Sequence, residues 1–135
     1  MLVGAVLVWM AALCVVDIRE RRLPNGLTLP GAAVILLAAA IAGRGLPALA
    51  GAAALTAVYL LVHLLGPAGM GAGDVKLAIG LGALTGCFGA GVWFLAALGA
   101  PLLTALCAML CGFRTLPHGP SMCLATAVAV GLALA

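Results

Sequence analysis

Apolar runs fill this chain almost end to end, and its few charged side chains stand at the joints between them. The 135 residues include six Lys and Arg and only three Asp and Glu; 67% of the side chains are hydrophobic and 7% are charged. Mean hydropathy is +1.37. A soluble domain of this size needs a charged surface that these residues cannot supply. The composition therefore implies an integral membrane protein. Nineteen glycines let helices approach closely in lipid, which favours a compact bundle. No polar stretch is long enough to be a linker, so residues 1–135 are read as a single transmembrane domain.

A spanning helix needs roughly 20 apolar residues. Charged, Gly and Pro joints divide the chain into six candidates: about Leu2 to Val16, Asn25 to Ala42, Leu46 to Leu65, Asp74 to Thr85, Phe88 to Cys111 and Ser121 to Ala135. Several are short, which bilayer thinning or snorkelling accommodates. The first lacks a basic segment before its apolar run, so it reads as a retained helix and not a signal peptide. The expected fold is all-α, a polytopic bundle of about six transmembrane helices. Alternation puts Arg19, Arg21, Arg22, Lys76 and Arg114 on one face and Arg44 on the other. The positive-inside rule makes the first face cytoplasmic and leaves both termini outside.

That topology places Asp17 and Asp74, the two aspartates of the chain, on the same cytoplasmic side. Acids at the edge of lipid are costly and mark candidate functional sites. Asp74 ends the segment Gly71-Ala72-Gly73-Asp74 and opens the fourth helix. Glycines at 71 and 73 leave room for another backbone near the carboxylate. An ordinary helix cap explains Asp74 equally well. Asp17 is harder to explain locally: at the end of a helix it opposes the dipole. Pairing with the arginines of a solvated loop is the alternative there. Pro24 and Pro30 suit the first turns of the second helix, and Thr28 is placed to supplement its cap.

Two patterns now stand side by side. Asp17, Arg21, Arg22, Leu23, Pro24, Asn25, Leu27 and Thr28 resemble the first motif of the prepilin peptidases, the type IV leader peptidases. Gly71 to Leu77 resembles the second, the GxGD signature shared with presenilin-type proteases. Leu116-Pro117-His118-Gly119-Pro120 is a weaker match to the Pro-x-Gly-Pro entry of that family's last helix. The resemblance implies a membrane aspartic endopeptidase that removes leaders from prepilins and pilin-like precursors at the cytoplasmic face. Asp17 and Asp74 would be its catalytic pair; Gly71, Gly73, Lys76, Pro24 and Asn25 would shape the site or meet substrate. One carboxylate would act as general base on water and the other as acid. The helix N-terminus at Asp74 suggests that this acid is the more readily ionised. The short plan is similar to the peptidases of tight-adherence (Flp-type) pili and, less closely, to archaeal preflagellin peptidases. The cysteine-rich loop and methyltransferase activity of the longer members are not expected.

The remaining residues carry less chemistry. Cys14, Cys87, Cys107, Cys111 and Cys123 form no CxxC pair and read as apolar membrane residues. His63 reads as a packing or interfacial residue, and His118, between Pro117 and Gly119, as solvent-exposed. No metal site, phosphate loop or nucleic-acid patch is apparent, so no cofactor is expected, and the expected partners are a prepilin-like precursor and the lipid bilayer. Two other function classes stay open: a non-catalytic pilus or secretion assembly subunit, and a small ion-coupled transporter.

Overall fold

The computed structural model describes residues 2–20, 25–66, 72–112 and 118–134. These residues form six helices and no strand: α1 (Leu2–Glu20), α2 (Asn25–Ile41), α3 (Gly45–Leu65), α4 (Ala72–Cys87), α5 (Ala90–Cys111) and α6 (Gly119–Leu134). Ala and Leu dominate them, and both are strong helix formers. Pro30 and Pro101 lie inside α2 and α5; within a bundle, neighbouring groups re-satisfy the backbone carbonyl that proline leaves without a donor.

Two boundaries differ informatively from the sequence expectation. α1 runs on through Asp17 to Glu20 instead of stopping at Val16. α6 begins at Gly119, two residues before Ser121. Both extensions have one cause, because the end of α1 meets the start of α6 and each supplies what the other lacks there. α5 starts at Ala90 and not Phe88, since Gly89 takes a φ of 108° that breaks the helical path.

α4 occupies the centre, with α2, α3, α5 and α6 all packed on it. Its closest partner is α3. A Cβ on Gly51 would collide with the carbonyl of Gly82, and one on Gly86 would lie 2.6 Å from the carbonyl of Pro47. Small residues four apart, Gly82 and Gly86, thus bring the two backbones into contact in the manner of close-packed membrane helices. The indole of Trp9 fills a slot over Gly31 and Gly80 and donates Nε1–H to the Leu27 carbonyl at 2.7 Å. Trp93 similarly ties α5 to α3, donating to the Gly51 carbonyl at 3.0 Å.

The core is narrow and rich in Ala, while large side chains such as Val8, Leu37, Ile41, Leu98, Leu102 and Met109 face outward. Gly45–Leu65 and Ala90–Cys111 are long and apolar enough to cross a membrane. Only 28% and 11% of their apolar windows are buried in the bundle, whereas the core helix of a soluble protein would be mostly covered. At about 1.5 Å per residue, each reaches roughly 30 Å, the thickness of a hydrocarbon core.

Candidate active site

Asp17 lies in the last turn of α1 and is 5% exposed. A buried carboxylate needs hydrogen-bond donors, and one comes from across the bundle. The backbone N–H of Gly119 donates to Asp17 Oδ2 at 2.9 Å. Gly119 is the first residue of α6, so Asp17 sits at a helix N-terminus after all, although not that of its own helix. The positive end of the α6 dipole faces the carboxylate that the end of α1 opposes. Glycine is required by this contact, because a Cβ at 119 would overlap the Asp17 carboxylate.

Asp74 is the third residue of α4 and is half-buried. An acid in the first turn complements the dipole of its own helix. Each aspartate is therefore matched to a helix N-terminus. α6 stands between α1 and α4, packing on both. One turn into α6, buried Cys123 shares a core cluster with Leu13, one turn before Asp17, and Leu77, one turn after Asp74. Cys14 packs against the same cluster.

The same turn carries a polar arrangement that sequence reading missed. His118 is half-buried and held on both ring nitrogens. Its Nε2 lies 2.9 Å from the hydroxyl of Tyr59 on α3, and its Nδ1 lies 2.8 Å from Thr104 Oγ1 on α5. Burial pushes the imidazole below its ordinary pKa. Tyr59 itself is 5% exposed. A signal for this existed. Tyr59 is the single tyrosine of the chain, set in an apolar helix, and a buried phenol needs a polar partner.

The other expected site residues are dispersed. Gly73 and Lys76 flank Asp74 in the first turns of α4, both half-buried. Asn25 opens α2, and Thr28, one turn on, is fully buried. Pro24 and Gly71 lie outside the described residues, as do Arg21, Arg22 and Arg114. His63 is in the last turn of α3, half-buried. Among the described residues no group of three His, Cys, Asp or Glu side chains is arranged to hold a metal ion.

Comparison with known families gives one match. A model of the type IV leader peptidase family, Peptidase_A24, matches residues 4–134. No curated protein and no solved structure matches the chain.

Proposed function

From the premise that this chain belongs to the type IV leader peptidase family, we propose that it is a membrane aspartic endopeptidase with Asp17 and Asp74 as its catalytic pair. Its substrates are prepilin-like precursors. The family supplies a leader peptidase in general; the two acids, the mechanism and the substrate are our reading.

The observation that supports it is that two acids from opposite halves of the chain stand at helix ends joined to the first turn of α6, Asp17 by the Gly119 amide and Asp74 one turn from Leu77 in the core cluster shared with Cys123. Two close carboxylates resist double ionisation and hold one proton between them. The ionised one takes a proton from water as its oxygen attacks the scissile carbonyl carbon. The protonated one gives its proton to the carbonyl oxygen. Collapse of the tetrahedral intermediate breaks the C–N bond, with a proton passing to the departing amine. One water is consumed, and the carboxylates return to their starting state. Gly119 N–H holds one Asp17 oxygen through this cycle.

The reading includes six spans, both termini outside and the site at the cytoplasmic face of the cell membrane. A precursor with a basic leader and a hydrophobic helix then presents its cleavage point at the interface, without drawing leader charges into lipid. Gly73 and its neighbour Gly71 would admit the substrate backbone beside Asp74, and Lys76, Pro24 and Asn25 would shape the entrance.

The test is co-expression with a candidate prepilin and measurement of the product's intact mass. The unaltered chain should release the leader, and Asp17→Asn and Asp74→Asn should each leave it attached. Normal processing by either variant would reject the two-aspartate mechanism.

A further inference from the structure

His118 and Gly119 are consecutive residues that join four helices. Gly119 N–H holds Asp17 of α1. The His118 ring engages Tyr59 of α3 and Thr104 of α5 through its two nitrogens, and its carbonyl accepts the N–H of Met122 at 3.0 Å, closing the first turn of α6. An unbroken chain of contacts therefore runs Asp17, Gly119, His118, Tyr59.

A neutral imidazole has one donor and one acceptor nitrogen, and both are engaged here. Two arrangements satisfy the ring. In one, Tyr59 donates to Nε2, and Nδ1–H donates to Thr104. In the other, Thr104 donates to Nδ1, and Nε2–H donates to the Tyr59 oxygen, which turns the Tyr59 hydrogen outward. An imidazole whose only task was to fill space would not require two hydroxyl partners from two other helices.

We infer that His118 is a positioning residue for Asp17, setting its carboxylate through the Gly119 amide while Tyr59 and Thr104 hold the imidazole. This role rests on the peptidase reading above. Its place in the fold explains why an imidazole stands at the mouth of α6: it fixes the start of that helix in direction and depth, which a backbone amide alone cannot do.

The test uses the full chain in detergent with a synthetic prepilin-like peptide, comparing His118→Leu, His118→Gln and Tyr59→Phe. Tyr59→Phe removes one oxygen and keeps the ring, so folding is preserved even if His118→Leu proves unstable. We expect kcat to fall about 10- to 100-fold in His118→Leu and Tyr59→Phe, the scale of a roughly 1 Å misplacement of reacting groups. KM should change less than about threefold, because uniform substrate binding is untouched. The double variant should be no worse than the poorer single variant, since the two act as a unit. Glutamine reaches the Tyr59 hydroxyl with its amide and should restore part of kcat. Exchange of the Gly119 amide hydrogen should quicken in His118→Leu without substrate. Unchanged kcat in folded Tyr59→Phe, with cleavage intact in the parent and lost in Asp17→Asn, would overturn this role and leave the peptidase reading standing. Absence of cleavage by the parent would overturn both.

Discussion

Asp17 receives the backbone N–H of Gly119 at 2.9 Å, across 102 positions of sequence and from a different helix. This bond turns an acid that is badly placed on α1 into one well placed on α6. It also makes residue 119 a position where side-chain volume, more than chemistry, is decisive.

Gly119→Ala keeps the N–H but puts a methyl group into the carboxylate. Overpacking of this kind costs about 1–3 kcal/mol, and here the displaced group is Asp17 itself. Leader cleavage should drop at least about tenfold. Gly131→Ala in the same helix is the control, because a Cβ there meets nothing within 4 Å. Peptide-cleavage rates of the two purified variants, set against their melting temperatures, make the comparison.

Acid should weaken the bundle through His118. Its folded-state pKa is lowered by burial, so the unfolded chain takes up a proton first as pH falls. Stability from this residue is full above about 6.5, the ordinary histidine value, and is lost as pH drops below it. Tyr59 and Thr104 face the ring, and Asp17 lies beyond the adjoining Gly119 amide. Melting temperatures at pH 7.5 and 5.5 should diverge more for the parent than for His118→Gln.

Gly82→Val should separate α3 from α4. The added atoms meet the Gly51 carbonyl at 2.6 Å and the Cα of Ala52 at 3.0 Å, both backbone and unable to turn aside. Loss of about 1–3 kcal/mol is expected. Because Tyr59 rides on α3 and Asp74 on α4, cleavage should fall as well. Thermal unfolding and cleavage assays of the same preparation would show both effects.

Trp9→Phe removes the donor to the Leu27 carbonyl and shortens the ring that fills the slot over Gly31 and Gly80. The hydrogen bond is worth about 0.5–1.5 kcal/mol net. A lowered melting temperature with kcat nearly unchanged is expected, since Trp9 stands about two turns of α1 before Asp17.

Much of this was readable from the residues in order. Asp74 stands in the first turn of α4, as its Gly-rich approach suggested. The Gly and Pro joints delimit six helices close to their observed ends. The reading failed where a residue's surroundings come from another helix. Asp17 looked like the end of α1 because the apolar run stops there, yet the helix continues three residues further. His118 looked exposed between Pro117 and Gly119, yet it is bound on both nitrogens.

Helix content and a lipid-compatible exterior depend on properties each segment carries within itself: long apolar runs, good helix formers and scarce charge. Such local quantities survive being read one letter at a time. The meeting of α1 with α6, the match of a helix end to a foreign carboxylate and the Thr104–His118–Tyr59 contacts depend on how cylinders cross. Those crossings follow from where glycine permits close approach and where larger side chains forbid it, a joint outcome of all six helices that no single stretch contains.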